Sequence, residues 1–464
     1  MILGLERWAE SDAPALLDDG SETWLTYREL SSAVSDCAAT IARLSRPVVF
    51  LFGVNDIPSA IVYLACLEAG APVAPLRADL AIEKAQRLVE LYRPGVVCGV
   101  DPGPNYTPDV KLPLPTWTRR SGGVVAHPLL ALLLSTSGST GSPRMVRLSR
   151  SAVEANAQSI QQALGIGTAD RSVLNLPMSY SYGLSVLNSY LLAGASIVMT
   201  ELGLTERRYW DRLAAQKVTS MPGVPYVYQT LKRLGFEALA PATLTTLTQA
   251  GGKLPQALVE HFHALMKARD GRLFVMYGQT EATARIAILD SADLPSRLES
   301  VGRAIPRGEI TIAPSENSGS ETGEIIYRGP NVMMGYAESA EDLAKGDELG
   351  GRLATGDIGK LDKDGFLYIT GRVKRIAKVN GLRLNLDEVE ALAARYAPAA
   401  ALEADNILIV VVEAIADEAL AQRARRELAQ ALALPFTSLR VRCVEKLPVG
   451  SNGKLDREAL RKVA

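Results

Sequence analysis

Up to Ala287, short apolar runs of strand length alternate with longer stretches of helical pattern. That order restricts the chain to layered α/β folds with mainly parallel sheets. Val48 to Phe52, Leu129 to Leu134, Val173 to Leu176, Ile197 to Thr200, Leu244 to Thr248 and Leu273 to Met276 read as strands. Ile57 to Ala69, Ser151 to Leu164, Leu184 to Leu192, Glu206 to Ala215, Tyr226 to Leu234 and Gln256 to Ala268 read as helices. Pro102 to Pro115 reads as a proline-rich surface loop.

After Ala287 the pattern changes. Turn-rich segments at Asp293 to Pro295, Pro306 to Gly308 and Pro314 to Gly323 separate short strands, which predicts a smaller antiparallel unit. Lys363-Asp364-Gly365 predicts a tight turn between two of them. From about Gly371 a last α+β region follows. Its helices are expected around Leu386 to Arg395 and Glu418 to Leu432, and its strands at Ile407 to Val412 and Arg440 to Val444. The expected domains are therefore 1–371 and 372–464.

The bulk properties exclude several classes. Fifty Lys and Arg balance fifty-one Asp and Glu, so no nucleic-acid or membrane footprint is expected. Apolar runs fall well short of a bilayer span of ~20 residues. Glu6, Arg7, Glu10 and Asp12 stand where a secretory signal would be apolar, so the expected compartment is the cytoplasm. The four cysteines are far apart and form no CxxC pair, which favours reduced core thiols over a zinc site or a disulfide scaffold.

Four segments carry chemistry. The first is Ser135-Thr136-Ser137-Gly138-Ser139-Thr140-Gly141-Ser142-Pro143-Arg144, entered directly from an apolar strand. Small residues let backbone N–H groups approach phosphate oxygens, and hydroxyls add donors. The spacing is not that of a Walker A loop, and a plain Ser/Gly-rich turn is the alternative. The second is Tyr277-Gly278-Gln279-Thr280-Glu281. Its ring can lie on a base, Thr280 can donate to phosphate, and Glu281 can ligate Mg²⁺; a strand-end turn with a surface Glu is the alternative. The third is Thr355-Gly356-Asp357 with Gly371-Arg372, where a carboxylate suits ribose hydroxyls and an Arg suits phosphate or ribose oxygens. Asp357 could equally cap a turn. The fourth is Gly450-Ser451-Asn452-Gly453-Lys454, a lysine between glycine-bearing turns that could swing into a cleft or simply lie on the surface.

Taken together, these segments resemble the adenylate-forming superfamily of acyl-CoA synthetases, nonribosomal adenylation domains and luciferases, in order and spacing over nearly the whole chain. Leu25-Thr26-Tyr27-Arg28-Glu29-Leu30 and Ala65 to Leu76 resemble its N-terminal signatures. Ser135 to Arg144 resembles its phosphate loop, and Gly251-Gly252 with Tyr277 to Glu281 its adenine and magnesium segments. Gly323 to Tyr336, Thr355 to Asp357, Gly371 to Glu390 and Leu447 to Arg457 resemble its later motifs. The resemblance implies a large N-terminal domain of α/β sheets plus a distorted β-barrel, with a small mobile α+β C-terminal domain. It implies two reactions: a carboxylic acid and Mg·ATP give acyl-AMP and pyrophosphate, and a thiol, coenzyme A or a carrier protein's phosphopantetheine, then displaces AMP. Lys454, Thr280, Glu281 and Arg144 take catalytic roles, with Glu281 on the metal. Thr136, Ser137, Gly138, Ser139, Thr140, Gly141, Gly251, Gly252, Tyr277, Gly278, Asp357 and Arg372 hold the nucleotide. Lys374 takes the hinge position, and Lys378 with Gly381 the face that admits the thiol. The sequence departs from the family at Arg144-Met145, where Lys-Gly is usual. A degenerate nucleotide-binding protein is therefore a third reading.

Pro177 to Leu184 aligns with the segment that enters the acyl pocket. Amino-acid-activating relatives place Phe-Asp where this chain has Tyr180-Ser181. A buried ammonium without a carboxylate is expensive, so an acyl or aryl acid is expected. The expected pocket is Tyr180, Ser181, Tyr182 and Gly183, with Val224, Pro225 and Gly251 opposite. Arg285, four residues after Glu281, would either meet a polar or anionic tail of the acid, as in ligases for dicarboxylic acids, or form a structural ion pair.

Overall fold

The computed structural model describes residues 3–463, except 22, 45–46, 109–111, 136–143, 315–320, 380–381, 405, 416, 433 and 450–454. The chain divides into two compact units, Met1–Glu309 with Tyr327–Leu353, and Ile310–Ile326 with Ala354–Ala464. The boundary expected at 371/372 falls inside the second of these units.

In the first unit a nine-stranded sheet runs in the order Arg303–Ala304, Ala287–Leu289, Arg272–Tyr277, Thr246–Gln249, Ser220–Gly223, Arg171–Leu174, Ser196–Met199, Pro14–Leu17, Leu25–Thr26. Every pair from Arg272–Tyr277 to Pro14–Leu17 is parallel. Both faces of such a sheet are covered by helices, which is why its strands are continuous apolar runs. Ala287–Leu289 and Arg303–Ala304 add antiparallel strands at one edge. The sequence placed them in the smaller unit; they extend the large sheet, because an edge strand needs one pairing partner and no crossover helix.

The other large sheet has eight strands, in the order Gly335–Ala337, Met145–Ser149, Leu130–Ser135, Val73–Arg77, Val49–Gly53, Val96–Cys98, Thr116–Arg119, Tyr106–Pro108. Tyr106–Pro108 lies in the stretch expected to be loop; it pairs antiparallel with Thr116–Arg119 at the sheet's edge, where proline is tolerated. The buried side of this sheet packs Phe50, Phe52, Val97, Leu133 and Met145 into one core. The Leu25 to Leu30 signature is architectural. Thr26 caps the helix Tyr27–Ala42, with Glu29 returning a bond to the Thr26 backbone.

The second unit begins with a four-stranded sheet in the order Glu309–Pro314, Gly323–Arg328, Arg352–Leu361, Leu367–Arg372. The turn at Lys363-Asp364-Gly365 joins the last two, which pair antiparallel. Residues beyond 372 form the hairpin Ile376–Val379 and Leu382–Asn385 and the three-stranded sheet Ala399–Ala404, Ile407–Glu413, Leu439–Val444. The helices Leu386–Ala393 and Glu418–Ala431 accompany them. Val389, Leu408, Val410, Leu428 and Leu439 share a core of their own.

Candidate active site

The phosphate-loop segment leaves one strand and returns on the next. Leu134 pairs with Val146 and Ser135 with Met145, so residues 136–144 join two neighbouring antiparallel strands. Thr136, Ser137, Gly138, Ser139, Thr140 and Gly141 lie outside the described residues. Arg144 is described, and its guanidinium stacks 3.7 Å from the centre of the Tyr336 ring. Met145 is 1 % exposed. It opens the return strand between Ser135 and Ala337. The apolar residue that departs from the usual glycine is therefore a core residue of a strand.

Tyr336 reaches this place because Gly335–Ala337 pairs with Met145–Ser149. Its hydroxyl donates to Glu281 Oε1 at 2.9 Å. Burial, and then the Glu281 carboxylate, hold the phenol well above its ordinary pKa. It thus remains a neutral donor. Two motifs far apart in sequence, the end of the Ser/Thr-rich loop and the candidate metal ligand, meet on one tyrosine.

The backbone around Glu281 is tightly specified. Thr280–Ala282 is a single 3₁₀ turn. Thr283 follows at φ 63° and ψ −57°, with Ala284 N–H donating to the Ala282 carbonyl at 2.7 Å. This is a γ-turn of the rare positive-φ form, held by the Thr283 hydroxyl on the Asn331 carbonyl at 2.7 Å. A β-branched residue at positive φ is strained. Gly278 is required opposite, since a Cβ there would lie 1.8 Å from the Ala284 carbonyl oxygen. Tyr277 is 8 % exposed and accepts from the Gln279 amide at 3.2 Å.

The expected pocket residues also converge. Gly251 adopts φ +85°, and a Cβ on it would sit 2.6 Å from the Tyr180 hydroxyl and 3.1 Å from Val224 Cγ1. Gly252 borders Pro225. Ser181 begins the helix Ser181–Leu192, and its Oγ lies 3.4 Å from Thr280 Oγ1. Gly183 packs against the carbonyls of Leu176 and Pro177. Tyr182 is core: its hydroxyl donates to the Thr248 carbonyl at 2.8 Å, and burial pushes it up to about 12. Arg285, 2 % exposed, stacks 4.6 Å from the Tyr182 ring centre and donates to Ser185 Oγ at 3.2 Å. No carboxylate pairs with it among the described residues.

In the second unit, Asp357 and Arg372 are cross-strand neighbours. They are joined by an ion pair at 2.7 Å from Arg372 Nε to Asp357 Oδ1. The Asp357 side chain is 3 % exposed and the Arg372 side chain 59 %. Lys374 lies in the turn Val373–Arg375, and the Lys378 backbone pairs with Arg383; their side chains are not described. Gly381 lies outside the described residues, between the paired Val379 and Leu382. Lys454 does too; Val449 and Leu455, on either side of it, form an isolated antiparallel bridge.

The model of the AMP-binding enzyme family matches residues 5–337. The chain belongs to this AMP-binding enzyme family. Among curated relatives it is 30% identical over 259 residues to the 2-succinylbenzoate--CoA ligase of Oceanobacillus iheyensis, a match covering 56% of this chain and 52% of that protein. The chain thus spans about half the length of that relative. It is 26% identical over 503 residues to a hybrid PKS-NRPS synthetase of Penicillium oxalicum, a match covering 96% of this chain and 12% of that protein. The O-succinylbenzoate coenzyme A synthetase of Bacillus subtilis in complex with AMP has the same fold, with a TM-score of 0.78, 21% identity and coverage of 99% and 98% of the two chains.

Within this AMP-binding enzyme, sequence reasoning missed a charged cluster next to the expected hinge. Arg375, 12 % exposed at its side chain, bonds Glu390 Oε1 at 2.6 Å and Oε2 at 2.9 Å and also pairs with Asp387. Burial raises the Asp387 carboxyl despite that pairing. The signal was present: Asp387 and Glu390 are three apart on one predicted helix and so share a face. Among the described residues, no helix is long and apolar enough to cross a membrane.

Proposed function

We propose that this chain activates an acyl or aryl carboxylic acid with ATP and passes the acyl group to the thiol of coenzyme A. The observation that carries the reading is the meeting of Arg144 and Glu281 on Tyr336. It puts a cation from the phosphate loop and an anchored carboxylate in one place, as a bound polyphosphate needs. A carboxylate oxygen attacks the α-phosphorus while the bond to the departing pyrophosphate breaks. Two anions must be brought together, so the site has to supply positive charge where they meet. Arg144 supplies part of it. Lys454 supplies the rest, on the strength of its motif.

The donor set fits Mg²⁺: one carboxylate, oriented by a phenol, beside a segment suited to phosphate oxygens, which is how this hard cation is usually held. Glu281 would hold the ion. When bound, it neutralises phosphate charge. Thr280 and Arg144 bind and orient the phosphates, and Asp357 and Arg372 hold the ribose. In the second step the thiol sulfur attacks the acyl carbon, its proton leaves, and AMP departs. Residues 372–464 act as a mobile lid hinged at Lys374, with Lys378 and Gly381 on the thiol side. The buried free thiols Cys37, Cys66 and Cys98 suit a reducing cytoplasm.

The test is ATP–pyrophosphate exchange across a library of carboxylic acids, with and without Mg²⁺. Acid-dependent exchange that requires the metal is expected. Binding of ATP without exchange for any acid would favour a degenerate nucleotide-binding protein. The match along part of a PKS-NRPS synthetase favours a second reading, in which the thiol is a carrier protein's phosphopantetheine. Thioester formation with free coenzyme A against a panel of holo-carriers separates the two.

A further inference from the structure

Resting on that reading, we propose that the acid is a diacid, and that Arg285 binds its second carboxylate while the first attacks ATP. Arg285 lines a small cavity with Ser172, Ser185, Ser189 and Ser220, the rest of its lining being mostly apolar. Among the described residues its Nε–H has no hydrogen-bond partner. A guanidinium stays charged in a protein, and a buried charge needs a counter-charge. No acidic residue lines the cavity. The nearest ionisable neighbour, Tyr182, is a neutral phenol at pH 7, burial having pushed it up to about 12.

The cavity's own hydroxyls do not replace that counter-charge. Ser185 Oγ donates to the Tyr182 carbonyl at 2.7 Å, and Ser189 Oγ to the Ser185 carbonyl at 2.8 Å. They leave lone pairs toward the cavity and no free negative charge. An entering carboxylate would take the open guanidinium donor, and its pairing with an arginine is charge-assisted and directional.

The cavity also shares a lining residue with a second one that lies nearer the reacting end. Ser181, Ser185 and Ser189 recur every four residues, so they lie on one face of their helix. Ser181 reaches Thr280. Ser181 and Ser185 both line a second small cavity with Thr283 and Asn156, and Ser185 lines the Arg285 cavity as well. The Ser181 and Ser185 hydroxyls therefore step along one helix face from Thr280 to Arg285, among apolar side chains such as Leu134, Leu184 and Val186. What sits at its far end is a compact terminal group, because each cavity offers about 10 Å³, the room of a single water, and the side chains around it must yield to admit a carboxylate.

The experiment compares matched acids in ATP–pyrophosphate exchange: succinate with butyrate, glutarate with valerate, adipate with hexanoate, phthalate with benzoate. At least one diacid is expected to exceed its monoacid in kcat/KM by on the order of 10²-fold, the loss expected when a buried polar group is left without its partner. In Arg285→Gln that ratio should collapse toward one, chiefly through the KM of the diacid. Monoacids that match or exceed every diacid with the unaltered protein overturn the proposal while leaving the adenylation reading intact; this arm needs no variant to fold. A ratio that survives Arg285→Gln, with both acids slowed alike, overturns it too and makes Arg285 structural. Exchange with no acid of either kind removes the adenylation reading, and the proposal falls with it.

Discussion

Two buried arginines of this chain are held in opposite ways. Arg375, just past the expected hinge, is enclosed by Asp387 and Glu390. Arg285, in the pocket unit, has a serine, a tyrosine ring and, among the described residues, no carboxylate. Where a cation serves only the fold, the chain supplies its counter-charge locally, here from a single helix. Where the chain withholds it, the diacid proposed above supplies the missing charge from outside.

The largest expected effect sharpens this contrast directly. Arg375→Met leaves two partly buried carboxylates without their cation and should destabilise the second unit by about 3–5 kcal/mol, the usual result of removing one partner of a buried pair. Arg285→Met in the ligand-free protein removes an uncompensated charge and should change stability by about 1 kcal/mol or less, since the lost stacking is offset by the lost desolvation. Urea unfolding of the full-length chain measures both. Equal destabilisation by the two substitutions would mean that Arg285 is as structural as Arg375.

The second effect contrasts cations that hold the fold with one assigned to the chemistry. Lys454→Ala should lower adenylation by roughly 10²–10³-fold if Lys454 acts as one contact to developing charge, and should spare thiol transfer from synthetic acyl-AMP. Gly381→Leu should do the reverse, obstructing the thiol. Single-turnover assays of each half decide it; equal slowing of both halves by both variants would rule out two alternating closures of a lid.

Much of the first unit was readable because parallel strands are buried on both faces and announce themselves as apolar runs. Leu273 to Met276 and Ile197 to Thr200 fall within a residue or so of the strands observed. What stayed hidden depends on partners far away in the chain. Gly335–Ala337 is too short to have a period, and becomes a strand only by pairing with Met145–Ser149. Tyr336 belonged to a recognised motif, yet its role requires Glu281, 55 positions earlier, and Arg144. For Arg285 the sequence left two readings open. Among the described residues no carboxylate meets it, and that is a property of the packed surroundings and not of any local pattern.

The third effect concerns the ammonium that the pocket would have to accept from an α-amino acid. Ser181 stands where amino-acid-activating relatives place Asp, and Arg285 adds a like charge to the same pocket. Deaminated acids should therefore exceed the matching α-amino acids in exchange by at least about tenfold, since like charges in a buried site disfavour one another. A clear preference for a free α-amino acid would show that a carboxylate outside the two cavities enters the site.

The smallest effect lies at Tyr336, which joins the two ends of the nucleotide site. Tyr336→Phe keeps the ring under Arg144 and removes only the hydroxyl that donates to Glu281. One hydrogen bond to a carboxylate proposed to hold Mg²⁺ has two opposing consequences. Its loss frees negative charge for the metal, but it also frees the side chain to rotate, and Glu281 sits on a strained turn whose rigidity suggests that orientation dominates. The half-saturating Mg²⁺ concentration in exchange should then rise by roughly 3–10-fold, the equivalent of a single net hydrogen bond. Glu281→Gln should be far more damaging, because it removes the ligand's charge instead of its alignment. A fall in the Mg²⁺ requirement of Tyr336→Phe would show that the phenol competes with the metal for Glu281, and an unchanged requirement that Glu281 is oriented by its backbone alone.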